Sequence, residues 1–368
     1  MSALVVTGTT APEFAELRDV FGRAVAARPG GAAAITVHHR GRRVAELGVA
    51  DYPPGSRQLL FSVSKLVLAI ALHAAAADGV VDLDEPLSQS WTPLRRGSLE
   101  RITLRDVLAH RSGLARFTGD VVLADILAGR DADLIAHQEP DPAPGHAYHA
   151  LSFGSLITGA LRARGVASPR ELIETYVAVP LAAGLELGTP RRGRPEPVRF
   201  EPPAQILDAD GERPPLPVDR GLLALLADPQ VFNSDAFLAA EVAAMGVVGS
   251  ASDLAAMLAA TLDGAERRIL DTAVRVAMTE RRTGGIDGSL GVVTVFGSGP
   301  QLPFPRLPLT SAGAFGHEGA GGSVAFADPE LGLAVGYTTP VFPASAGACP
   351  AFSALVPTLR LLAQNAGG

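Results

Sequence analysis

Phe61-Ser62-Val63-Ser64-Lys65 opens the run FSVSKLVLAIALHAAAA (61–77), in which apolar residues occupy every face of a helix rather than one stripe. A helix that is apolar all round has no solvent side. The run therefore predicts a buried helix from Ser62 to Ala77, closed by a turn at Asp78-Gly79. His73 and Asp78 interrupt the apolar stretch, which falls short of the ~20 residues that a membrane span requires. Residues three apart share a helix face, so Ser62 and Lys65 stand side by side, whereas Ser64 points elsewhere.

Of the 31 basic residues in this chain of 368, Lys65 is the one lysine and all others are arginine. A guanidinium keeps its charge at any workable pH, whereas burial can bring an ammonium to a pKa at which it takes and returns a proton. A lysine kept at this position points to proton transfer. A serine hydroxyl is a weak nucleophile without a base in reach, and a helix N-terminus adds a positive dipole and spare backbone donors. Moving the amine from about 10.4 towards neutrality costs roughly 4 kcal/mol, which burial on an apolar helix can impose. S-x-x-K alone is a short pattern that recurs by chance; its weight here comes from the helix start and the single lysine.

Composition bounds the rest. With 47% hydrophobic and 19% charged residues the chain can bury a large core. The net charge of −7 argues against nucleic acid or an anionic membrane as partner and favours a small neutral or cationic molecule. The N-terminal MSALVVTGTTAPEF lacks the basic and apolar regions of a secretory signal, and Cys349 is the single cysteine, so a cytoplasmic location is expected. No disulfide, cofactor or metal is expected; His38-His39 and His146 with His149 lack the carboxylate pattern of a metal centre.

Outward from the central run, Ala11–Ala27 has helical spacing with Thr10 as cap, and Ala33–His39 and Arg43–Val49 form a hairpin about Arg40-Gly41-Arg42. Helical patterns dominate the middle: Thr103–His110, Val121–Leu127, Leu151–Ala163, Pro169–Ala178 and Ser252–Leu262. Gly188–Pro217, dense in Pro, Gly and Arg, reads as a long surface loop that could serve as a lid or a plain connector. Strand patterns return at Leu290–Phe296, Ser323–Ala327 and Leu333–Thr339, before a closing helix over Ala351–Gln364. The expected fold is α/β (α+β): an antiparallel sheet built from both termini (residues 1–85 and 265–368), flanked by helices, with an all-helical insertion over 86–264.

FSVSKLVLAIALHAAAADGVVDLDEPL followed by ITLRDVLAHRSGL resembles the superfamily of class C β-lactamases, DD-peptidases and family VIII carboxylesterases. PGHAYHALSFGSLITGALRARG resembles its tyrosine-bearing segment, and FGHEGAGGSVAFADPELGLAVGY the strand with its third motif, so the likeness runs from about Val37 to Tyr337. The resemblance implies Ser62 as nucleophile, Lys65 as its proton partner and Tyr148 as the tyrosine that exchanges protons with attacking and leaving groups. A phenol of pKa about 10 becomes a usable base only beside a cation such as Lys65. The resemblance also implies that His317-Glu318-Gly319 is the triplet edging the site, with the N–H groups of Ser62 and Ala320 as oxyanion hole and Gly319 allowing close approach.

Two departures matter. Ala150 stands where the lactamases and peptidases of this superfamily carry an asparagine that grips the substrate amide, and His317 stands where many carry lysine. Both point to the esterase branch: an acyl-enzyme on Ser62, formed from a small-molecule ester or amide and resolved by water. The other readings are an acyltransferase that passes the acyl group to an amine or alcohol, a β-lactamase or DD-peptidase, and a catalytically inactive binding module.

Overall fold

Val324-Ala325-Phe326-Ala327 alternates large and small side chains, and the whole architecture follows that alternation. The computed structural model describes residues 4–27, 31–49, 51–141, 145–200, 219–342 and 349–367. Its strands are β1 (Val6–Thr10), β2 (Ala34–His39), β3 (Arg42–Val49), β4 (Gln58–Leu59), β5 (Glu186–Leu187), β6 (Val247–Gly249), β7 (Thr283–Ile286), β8 (Val293–Phe296), β9 (Phe315–Glu318), β10 (Val324–Asp328) and β11 (Leu333–Thr338). Six of them form an antiparallel sheet in the order β1-β3-β2-β11-β10-β9, so N- and C-terminal segments share one sheet as expected.

The large residues Val324, Phe326, Val335 and Tyr337 face one core, with Phe14, Leu17 and Phe21 at the first helix, α1 (Glu16–Ala26), and Phe352 and Leu359 near the C-terminus. The small residues Ala325, Ala327 and Ala334 join the other core, with the central helix α2 (Val63–Ala77) and the helix Ala251–Ala259. Small residues let helices lie close. A Cβ placed on Gly336 would lie 2.2 Å from the Ala251 carbonyl oxygen.

Every residue of α2 from Val63 to Ala75 is buried, as its uniform hydropathy predicts. The β2–β3 hairpin turns through Arg40 (φ 49°) and Gly41 (φ 78°), the left-handed pair that matches strand twist in two-residue turns. Three expectations need correction. Thr10 caps no helix; it ends β1, an edge strand of β-branched residues paired to β3, and α1 follows a short turn at Pro12–Phe14. The closing helix is two, Pro350–Ser353 and Val356–Asn365, the second restarting around Pro357. Short strands also enter the middle of the chain: β6 pairs with β4 and β5 beside α2. The proline-rich loop lies outside the described residues over 201–217. No helix among the described residues is long and apolar enough to cross a membrane.

Gly336→Ala is expected to lower stability by about 1–3 kcal/mol, because helix Ala251–Ala259 must move to admit the methyl group. Denaturant unfolding measures it; an unchanged midpoint would show that this contact is soft.

Candidate active site

Ser62 sits at the N-terminus of α2 with its backbone already helical (φ −66°, ψ −9°), and α2 carries Lys65 one turn on. Lys65 is completely buried. Its Nζ lies 3.1 Å from Ser62 Oγ, 2.8 Å from the Ala150 carbonyl and 3.1 Å from the Ala244 carbonyl. Burial lowers its pKa from 10.5 to about 7, opposed by the charge of Asp219. In the neutral amine two N–H bonds satisfy the two carbonyls, and the lone pair is left for Ser62.

Tyr148 closes the group from a loop. Its hydroxyl is hydrogen-bonded to Ser62, and Lys65 Nζ lies 5.0 Å from its ring centroid. Burial pushes the phenol well above its ordinary value, the hydrogen bond with Ser62 opposing, so the amine does not turn this tyrosine into a phenolate. The amine is therefore the group near neutrality, as expected of a lysine buried on an apolar helix, and the phenol keeps its proton. The Tyr148 N–H donates to Oδ1 of buried Asp287 at 2.9 Å, which also accepts from Ser289 and Leu290 N–H at 2.8 and 3.1 Å. Thr294 donates to the other Asp287 oxygen at 2.9 Å, and His146 Nε2 lies 2.8 Å from Thr294 Oγ1. His110 Nδ1 accepts the His149 N–H at 3.0 Å, and the His110 ring lies 4.8 Å from that of Tyr148. His149 donates from Nδ1 to the Ala147 carbonyl at 2.6 Å, leaving Nε2 to Ser112 at 2.6 Å. His146 and His149 are thus committed to protein partners.

His317 is the penultimate residue of β9 and completely buried. Its Nδ1 donates to the Glu318 carbonyl at 2.7 Å, and burial lowers its pKa to about 3. Beyond β9, Gly319 presses on the start of α2: a Cβ there would lie 2.5 Å from the Leu60 oxygen and 3.5 Å from the Ser62 nitrogen. A cavity of about 100 Å³ is lined by Ser62, Tyr148, Leu290, Gln301, Arg306, Glu318 and Ala320. Ser62, Lys65, Tyr148 and Ala320 therefore converge. Ala150 joins them through its main-chain carbonyl, and His317 and Gly319 support the wall without lining it.

Sequence reasoning missed Ala244, Asp287, Gln301 and Arg306. Ala244 acts through a carbonyl, which no residue type announces. Asp287 stands in Ile286-Asp287-Gly288, a turn signal between strands that could have been followed. Gln301 Oε1 accepts the Glu318 N–H at 2.9 Å, and Arg306 pairs with Glu318.

A family model described as Beta-lactamase matches residues 17–356. The chain belongs to the Beta-lactamase family. It is an enzyme of the β-lactamase-like serine hydrolase superfamily. It is similar to the Esterase/beta-lactamase LipL of Mycobacterium tuberculosis, 29% identical over 357 residues, covering 89% of this chain and 81% of that protein. Among solved structures it resembles EstA from Arthrobacter nitroguajacolicus at 25% identity with a TM-score of 0.84, covering 98% of this chain and 100% of EstA. A family VIII carboxylesterase follows at 23% identity and TM-score 0.82, covering 98% and 99% of the two chains. A penicillin-binding-protein homologue from Caulobacter crescentus has 23% identity and TM-score 0.80, covering 99% and 100%. The likeness of the last two is one of fold.

The buried histidines are expected to make the fold acid-sensitive. Desolvation lowers His73 and His149 to about 4, His317 to about 3, and His110 well below its usual range. Their contribution is full above the unfolded value of 6.5 and is lost as pH falls towards the folded values, because the unfolded chain takes protons that the folded one refuses. Each ring contributes a slope of up to about 1.4 kcal/mol per pH unit. Unfolding free energies at pH 7.5, 6 and 5 are expected to fall steadily, and His73→Gln, remote from Ser62, to flatten the decline; a flat wild-type profile would contradict the burial argument.

Proposed function

We propose that this enzyme is a carboxylesterase-type hydrolase of small-molecule esters that works through an acyl-enzyme on Ser62. The observation that carries the proposal is the Lys65 amine: two carbonyls hold its N–H bonds, Ser62 Oγ occupies the remaining direction, and burial sets its pKa near 7. Neutral Lys65 takes the Ser62 proton as Oγ attacks the ester carbonyl. The developing oxyanion meets the N–H groups of Ser62 and Ala320. The ester C–O bond then breaks and the alcohol leaves with the Tyr148 proton, so the acyl-enzyme holds a protonated Lys65 beside the Tyr148 phenolate. Water resolves the acyl-enzyme by the same steps in reverse.

Ala150 supports an ester rather than an amide as substrate. An alanine at that position gives up the side-chain contact to the amide group that would favour a β-lactam or peptide. LipL is named both esterase and β-lactamase, and this gives lactam hydrolysis its place as the second reading. Nitrocefin separates the two: turnover within tenfold of that of a matched ester would favour the lactamase.

Intact-mass analysis after exposure to activated esters and a serine-directed phosphonate is expected to show one adduct in the wild type and none in Ser62→Ala. Labelling of the Ser62→Ala variant would move the nucleophile elsewhere. The pH profile of kcat/KM should rise tenfold per unit and level off near 7, since the base works only when neutral. With the phenol raised by burial, no fall is expected up to pH 9. Lys65→Arg, whose guanidinium cannot give up its proton, should lose roughly 10²–10⁴-fold in kcat; activity within tenfold of wild type would exclude Lys65 as base.

A further inference from the structure

Phe61, the residue before Ser62, has φ 49°, a left-handed backbone that bulky side chains avoid. Such strain persists only where the surroundings over-determine it, and here they do. The Phe61 ring is buried among Phe200, Phe232 and Phe342, with centroids at 5.1, 5.1 and 5.4 Å and steep interplanar angles of 68°, 67° and 86°. These are edge-to-face contacts, the favourable geometry for aromatic rings. The three partners come from three separate segments: the loop after β5, the short helix Pro229–Asn233, and the stretch after β11.

Above the ring lies the turn that follows β9. A Cβ on Gly321 would fall 2.7 Å from two carbons of the Phe61 ring, and one on Gly319 would fall 3.4 Å from the Phe61 Cβ. The turn therefore rests directly on Phe61, with glycine at both points of contact and Ala320 between them. It is closed on itself by Gly319 N–H to the Ser323 carbonyl and Gly322 N–H to the Gly319 carbonyl, both at 2.8 Å. Ser62 is the covalent neighbour of Phe61 on the other side. Among the described residues neither the Ser62 nor the Ala320 N–H donates to another backbone carbonyl, which leaves both for a ligand.

We infer that Phe61 is a positioning residue that sets the spacing between the Ser62 and Ala320 N–H groups, its left-handed backbone turning one donor and its ring bearing the turn that carries the other. The inference rests on the proposed acyl-enzyme mechanism and extends it: the aromatic box links the loop after β5 to the geometry of the oxyanion hole. Phe200 and Phe232 do not line the cleft and bear on it through Phe61, Phe200 also through Gly321, where a Cβ would lie 3.2 Å from its ring.

The test compares wild type with Phe61→Gly, Phe61→Leu and Phe200→Leu. Phe61→Gly accepts the left-handed backbone without strain but removes the ring. Each folded variant is assayed for kcat and KM with an activated ester and for inhibition by an alkyl boronic acid, which becomes tetrahedral on serine and needs both donors. A Phe61→Gly variant with kcat down at least roughly tenfold, KM within about twofold and boronate affinity weakened in parallel bears the inference out. Phe200→Leu, which changes one wall only, should show the same pattern more weakly and serves where the Phe61 variants do not fold. Unchanged kcat and boronate affinity, or a lowered Tm alone, overturns it and leaves the acyl-enzyme reading intact. Failure of the wild type to take a phosphonate on Ser62 overturns both.

Discussion

A buried amine surrounded by three oxygen atoms is the constraint around which this molecule is arranged. Lys65 could not approach neutrality on the surface, where solvation would hold it near 10.4, so α2 had to become a helix without a wet face. That in turn required a layer on each side of it: the small-residue face of the sheet with helix Ala251–Ala259, and the helices of the middle of the chain. The carbonyls of Ala150 and Ala244 are as important as the burial. They hold the amine by main-chain groups that cannot titrate, so that its remaining direction is committed to Ser62.

The phenol is treated in the opposite way. Tyr148 is buried with four neutral histidines nearby, and the burial keeps it protonated. Two groups with ordinary values close together are pushed apart in opposite directions, an acid and a base made from environment alone. Holding His110, His149 and His317 uncharged prevents a positive charge that would pull the proton off the phenol and drive the amine lower still.

How much of this could be read from the chain depends on whether a feature lives in side chains or in the backbone. Ser62 and Lys65 were legible because helical spacing and a lone lysine among arginines are properties of residue type. That the sheet draws on both termini was legible, since strand patterns cluster at both ends. Tyr148 needed the family resemblance, because a tyrosine in a loop has no periodicity to mark it. Ala244 was invisible: it contributes a carbonyl, and any residue has one. β1 and β7 were missed because short edge strands depend on a partner for definition, and Gly-rich Thr283–Ile286 has little propensity of its own.

The carboxylate of Asp287 binds the main chain of Tyr148 and, two and three residues on, that of Ser289 and Leu290, and Leu290 is a wall of the cleft. One side chain thus sets both where the acid stands and how much room the acyl group has. Any attempt to enlarge the cleft by rebuilding that hairpin will also displace the phenol, so variation in substrate size should be tolerated more readily from the Gln301 and Arg306 side.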